Sequence, residues 1–95
     1  MSLSVVATIT AKPEFRADVR QALDQVIPPS RAEAACLHYA LHITRDKPDS
    51  FVMLERWEDD AALERHMATP HFAALVAAID GKVTGVDIVR LDPAA

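Results

Sequence analysis

Apolar and polar positions alternate with a period of two from Leu3 to Ala11 (LSVVATITA), and the run is rich in β-branched residues. That pattern predicts a strand. Lys12-Pro13-Glu14 ends it. Pro13 suits the first turn of a helix, and Glu14 complements a helix's positive end. Phe15, Val19, Ala22, Leu23 and Val26 then recur at helical spacing, with Arg16, Asp18, Arg20, Asp24 and Gln25 on the other side. Pro28-Pro29 is expected to end or kink this helix, and Ser30 to cap one further turn through Glu33.

A second alternation begins at Leu37. Leu37, Tyr39, Leu41 and Ile43 fall on one face, and His38, Ala40, His42 and Thr44 on the other. Asp46-Lys47-Pro48-Asp49-Ser50 reads as a turn, and Phe51 to Glu58 as the return strand of a hairpin. Asp59 or Asp60 caps a short helix holding Leu63, His66 and Met67. Thr69 caps another, with Pro70 at its first position and Phe72, Leu75, Val76 and Ile79 as its apolar stripe. Gly81 stops it, and Val83 to Leu91 forms a last strand.

The order β-α-β-β-α-β, with the second helical unit broken in two, predicts an α+β fold. It is a ferredoxin-like split β-α-β sandwich, with a four-stranded antiparallel sheet and helices on one face. Residues 1–95 are expected to form a single domain. Both parities of the strands carry apolar residues: Phe51, Met53 and Trp57 against Val52 and Leu54. A sheet apolar on both faces is covered on both faces. Helices cover one, so the sheet of a second copy is expected on the other, giving a homodimer built as a dimeric α+β barrel.

Composition sharpens this reading. Apolar residues make up 51% of the 95, more than so short a chain hides in its own core, which again favours self-association. A net charge of −4 argues against nucleic acid as a partner. No apolar run approaches the roughly 20 residues that span a bilayer, and no apolar leader follows a charged start, so no membrane partner is expected. The one cysteine, Cys36, excludes an internal disulfide and a multi-cysteine zinc site, in keeping with a cytoplasmic setting. With Gly81 and Gly85 alone, there is no phosphate-cradling loop.

Four histidines are the first candidates for chemistry. His38 and His42 lie four apart on a strand, about 13 Å from one another, too far to share an ion. His66 and His71 straddle the break between two helices and can approach each other, but no carboxylate stands at supporting spacing, so no metal site is expected. Glu55 and Trp57 share a strand face, and Tyr39 has matching parity on the neighbouring strand. Two readings stay open there: an aromatic-binding wall, or a core Trp57 with Glu55 paired to an arginine across the dimer. Cys36 reads as a small buried residue.

Taken together these segments resemble the antibiotic biosynthesis monooxygenase (ABM) family, in its quinol-monooxygenase-like branch. The resemblance rests on Lys12-Pro13-Glu14-Phe15 after the first strand, Ser30-Arg31-Ala32-Glu33 leading to Cys36-Leu37-His38-Tyr39, Phe51 to Trp57, Ala62-Leu63 followed by His66, and Thr69-Pro70-His71-Phe72. Ala34-Ala35 departs from the Pro-Gly usual before the position of Cys36. The resemblance implies a pocket between sheet and helices and oxidation of a small aromatic hydroquinone, quinol or anthrone-like substrate by O2 with no cofactor. His66 is then the leading base, because imidazole titrates near neutrality. His71 and Tyr39 are the other catalytic candidates. Trp57, Phe51, Met53, Glu55 and Phe72 are expected to bind substrate.

Three rivals share the scaffold. Haem-degrading relatives carry an Asn in the first strand and a Trp on the helix; neither is present here. An isomerase of a phosphorylated ketone needs cations at the pocket, for which Arg45, Lys47 and Arg56 are the candidates. A non-catalytic ligand-binding or stress-related dimer would leave His66 facing solvent.

Overall fold

The computed structural model describes residues 2–95. Strand β1 (Leu3–Ala11) leads through one 3-10 turn at Pro13–Phe15 into helix α1 (Arg16–Arg31). Strands β2 (Cys36–Ile43) and β3 (Ser50–Trp57) form the hairpin. Helices α2 (Asp60–Met67) and α3 (Pro70–Ile79) follow, and β4 (Val83–Leu91) completes the sheet. The strand order is β2-β3-β1-β4 and each pairing is antiparallel, which is the ferredoxin-like arrangement expected.

The expected caps form. Asp59 accepts a hydrogen bond from the Ala62 amide at 2.8 Å, and Thr69 Oγ1 accepts one from the Phe72 amide at 3.2 Å. Gly81 takes a φ of 75°, the left-handed turn that carries the chain from α3 to β4.

Two local expectations need correction. Pro28-Pro29 does not end α1, which continues to Arg31. The carbonyls robbed of donors belong to Asp24 and Gln25, both exposed residues, where solvent can take the place of the missing donors. Ser30 is therefore inside the helix and caps nothing. Its hydroxyl donates back to the Val26 carbonyl at 2.7 Å. The second correction is at Leu37. Cys36 opposes Trp57 but His38 opposes Arg56, so the ladder slips by a residue there. Leu37 leaves the core face and stands exposed, while Tyr39 remains inside.

The register places residues in rows across the helix-facing side. One row is Tyr39, Glu55, Val5 and Arg90; the next is Leu41, Met53, Ala7 and Ile88; the third is Ile43, Phe51, Ile9 and Val86. Val19, Leu23 and Val26 of α1 and Leu63 of α2 join the buried members of these rows to make the core. The helices pack towards β2, α1 against both β2 and α3. No helix covers β4 closely, and Val86 and Ile88 remain 51% and 50% exposed although they point to the helical side. Among the described residues, the opposite side of the sheet carries no helix. Leu54, Val89 and Leu91 are exposed there, and Leu54 and Leu91 line a hollow of about 400 Å³ together with Ser4, Val6, His38 and Arg56.

Phe51, expected at a substrate wall, is 1% exposed and sits in the core. Phe51→Ala should therefore lower the unfolding free energy by about 3–5 kcal/mol in urea denaturation, the range for emptying a buried aromatic site. A loss below about 1 kcal/mol would return Phe51 to a cavity wall.

Candidate active site

The uncovered stretch of sheet opens into a cavity of about 360 Å³ between β4, β1 and α3. Its floor is sheet: Ala7, Ile9, Tyr39, Met53 and Glu55. Its far wall is α3, through Phe72, Leu75, Val76 and Ile79, with Val86 and Ile88 of β4 at the side. Ala7 matters here, because the small side chain in the middle row leaves room where a larger one would fill it. A second cavity of about 250 Å³ adjoins it under α2, lined by Val5, Leu63, His66, Met67 and Arg90. Glu55, Phe72 and Ile88 line both.

His66 comes from the last turn of α2, three residues after the buried Leu63, so it lies on the core side of that helix. It is 1% exposed. Its ring stacks at a tilt over Trp57, with centroids 4.5 Å apart, and has Phe72 at 5.2 Å and Tyr39 at 5.4 Å. Nδ1 lies 2.7 Å from Glu33 Oε2, and the same oxygen lies 2.9 Å from His71 Nε2. An ionised carboxylate only accepts, so each imidazole donates to it. His66 then carries its hydrogen on Nδ1 and leaves Nε2 as an acceptor. Burial lowers the His66 pKa below 6.5; hydrogen bonding to Glu33 and its charge oppose this, and His71 adds slightly to the lowering.

Glu55 is a buried carboxyl with one firm partner. Trp57 Nε1 donates to Glu55 Oε1 at 3.0 Å. Burial pushes this carboxyl from the ordinary 4.5 up to about 7; the Trp57 bond opposes the rise and the charge of Glu33 adds to it. Tyr39 stands opposite Glu55 on β2. Burial, then the Glu55 charge, raises its phenol well above the ordinary 10, so it stays a neutral donor.

The expected site residues thus divide. Tyr39, Met53, Glu55 and Phe72 line the larger cavity, and His66 joins Glu55 and Phe72 at the smaller one. Trp57 is fully buried and lines neither; it supports His66 from beneath and holds Glu55. Phe51 also lines neither. His71 lies beside a shallow groove between α1 and α3 and touches the site through Glu33. Within the chain the partner of Glu55 is the Trp57 N–H.

Glu33 and Arg90 were not among the expected residues. Glu33 is 33 residues from His66 and 38 from His71, and its sequence surroundings suggested only a helix cap. It supplies the carboxylate that spacing alone did not provide. The three donor atoms lie within 4.8 Å of one another, a set of the kind that holds first-row transition ions, and here they satisfy each other by hydrogen bonds.

The Glu55 shift has a measurable sign. Between 4.5 and about 7 the folded chain keeps a proton that the unfolded chain has lost. The associated stability is whole at acid pH and disappears as pH rises through about 7. It amounts to on the order of 3 kcal/mol. His66, held low, acts in the opposite sense: its contribution is present at high pH and lost on acidification. Comparison with Glu55→Gln isolates the carboxyl. From about pH 5 to about pH 8 the urea-unfolding free energy of the variant should gain on the wild type by on the order of 3 kcal/mol. A constant difference would mean that Glu55 is hydrated.

Comparison with known proteins agrees with this architecture. The model of the family described as antibiotic biosynthesis monooxygenase matches residues 2–78. The curated protein "Probable quinol monooxygenase YgiN" of Escherichia coli (strain K12) is 34% identical over 96% of this chain and 97% of its own. The crystal structure of PA3566 from Pseudomonas aeruginosa superposes with a TM-score of 0.94 at 41% identity, covering 99% of this chain and 95% of that one. The structure of Rv0793 from Mycobacterium tuberculosis gives 0.94 at 30% identity, covering 100% and 97%. Sequence and fold agree: this chain belongs to the antibiotic biosynthesis monooxygenase family.

Proposed function

We propose that the protein oxidises a small electron-rich aromatic, a hydroquinone, quinol or anthrone-like compound, with O2 and no prosthetic group. The observation that carries this reading is an apolar cavity of about 360 Å³ whose ionisable wall, Glu55 and Tyr39, adjoins the buried His66. The name of the Escherichia coli relative supports a quinol substrate.

The chemistry balances without a cofactor. A hydroquinone and O2 give a hydroxyquinone and water: one oxygen atom enters the ring, the other leaves as water, and the substrate supplies all four electrons. Loss of a proton makes the arene far easier to oxidise, so the protein's task is to accept that proton in a dry site. His66 is the base of this proposal. Its Nε2 is the free acceptor, and Glu33 compensates the positive charge formed on the ring. Tyr39 orients the substrate oxygen as a neutral donor, and Met53 and Phe72 bind its flat faces. His71 works through Glu33 by holding the shared carboxylate in place.

Two rivals find less support. The isomerase reading needs several cations around a phosphate. Arg90 lines the smaller cavity, and its guanidinium already lies 3.4 Å from Glu64. Arg56 lies on the opposite sheet face, and Arg45 and Lys47 are exposed in the hairpin turn. The non-catalytic reading called for a solvent-facing His66, whereas this ring is buried beside a cavity.

The whole chain acts in this proposal as one domain of a homodimer in the cytoplasm, where the free thiol Cys36 is stable. The second copy covers the helix-free sheet face with its exposed Leu54, Val89 and Leu91.

In metal-free buffer the protein should consume O2 with one or more members of a hydroquinone and anthrone panel. His66→Gln should lower turnover by roughly 10²-fold or more, the scale of lost general-base help. Turnover at the wild-type rate would remove His66 from the role. Analytical ultracentrifugation at micromolar concentration should find a dimer, consistent with an obligate interface above about 2,000 Å². A monomer there would overturn the proposed cover of the sheet.

A further inference from the structure

We infer that Glu55 is a second acid–base catalytic residue, acting on the substrate where the two cavities meet, and that His66 does not handle the protons alone. The inference rests on the oxygenase reading above and deepens it.

The geometry carries the argument. Glu55 lines both cavities, so it borders a substrate in the larger one and shares the smaller one with the His66 imidazole. Its Oε1 is held by Trp57 Nε1. Its Oε2 has no hydrogen-bond partner among the described residues, yet no buried side-chain oxygen among them is both sealed off and unpartnered. The residue as a whole is 9% exposed, so Oε2 keeps a small accessible surface on a side chain that lines both cavities. One oxygen anchored and the other free is the arrangement a proton-transfer group needs.

The surroundings tune it. Tyr39 faces it from β2, His66 from α2, Arg90 from β4 and Glu33 from the loop after α1; Asp80 lines the larger cavity and Cys36 begins β2. Burial dominates and brings the carboxyl to about 7, while burial lowers the imidazole. The carboxyl therefore exchanges a proton readily near neutrality, and burial favours the neutral, proton-accepting imidazole.

The reaction needs two such groups. A hydroquinone gives up both O–H protons, one to His66 Nε2 and one to Glu55 Oε2. The resulting dianion transfers electrons to O2 as a C–O bond forms at a ring carbon, giving a peroxide adduct. The O–O bond then breaks. The two stored protons go to the outer oxygen, which leaves as water. The inner oxygen stays on the ring, and the displaced ring hydrogen moves to oxygen in the hydroxyquinone.

The test combines a carboxyl signal with turnover. In protein labelled with ¹³C at glutamate carboxyls, the Glu55 resonance, identified by its absence in Glu55→Gln, should titrate near 7 and shift when hydroquinone is added without O2. A Glu55 resonance indifferent to hydroquinone overturns the inference, whatever the turnover. Under air, Glu55→Gln should lower kcat by about 10²-fold, keep KM within about threefold, and lose the pH limb near neutrality. Glu55→Asp should recover part of kcat and restore a pH limb. A variant that loses only KM and keeps the wild-type pH profile makes Glu55 a binding group and overturns the inference. Wild-type protein that consumes no O2 with any aromatic tested defeats the oxygenase reading, and the carboxyl signal still decides whether Glu55 meets the hydroxyarene.

Discussion

A single carboxylate oxygen, Glu33 Oε2, accepts hydrogen bonds from two imidazoles on two different helices. Much of the site depends on this junction. It ties the loop before β2 to the end of α2 and the start of α3, and it fixes the plane and tautomer of His66. With that ring fixed, the packing of Trp57 below it and of Tyr39 and Phe72 at its edges follows. Hydrogen bonds to a charged acceptor are stronger than neutral ones, and partial burial strengthens them further. The arrangement is correspondingly exacting, since loss of the carboxylate would leave a buried imidazole nitrogen without its partner.

The second constraint is one of width. Four strands are broader than the single layer of helices laid across them, and α1 lies towards β2. The remaining strip over β1 and β4 is apolar yet uncovered, and the main cavity occupies it. The cavity is therefore not carved from a filled core but left over by the packing of the helices, with Ala7 deepening it.

The outline of this molecule was legible because period-two and period-3.6 patterns are local and the caps at Asp59 and Thr69 announce themselves. The failures have distinct physical origins. Pro28-Pro29 looks like a stop by itself, but a helix tolerates proline where the orphaned carbonyls meet water. Leu37 obeys the alternation, and only the pairing with β3 reveals the bulge that turns it outward. Phe51, Met53 and Trp57 share a face and cannot be sorted by parity; their separation into core and cavity wall depends on where the helices sit. Glu33 had no local signal as a site residue, because the contact that defines its role joins parts of the chain more than thirty residues apart. The bond between Trp57 and Glu55 lay within reach of the sequence, since the two share a strand face two residues apart.

The position of Ala7 and Glu55 on the two inner strands has a consequence for tolerance. Both strands are hydrogen-bonded along both edges, so the floor that carries the polar groups is stiff. The opposing walls are an edge strand and a helix with much of its surface free, the parts of a fold that deform most readily. Such a chamber is strict about where a ligand's oxygens lie and lenient about the bulk of its hydrocarbon. Substitutions on the compliant side should therefore change the shape of the chamber while leaving the positions of the groups on the inner strands as they are.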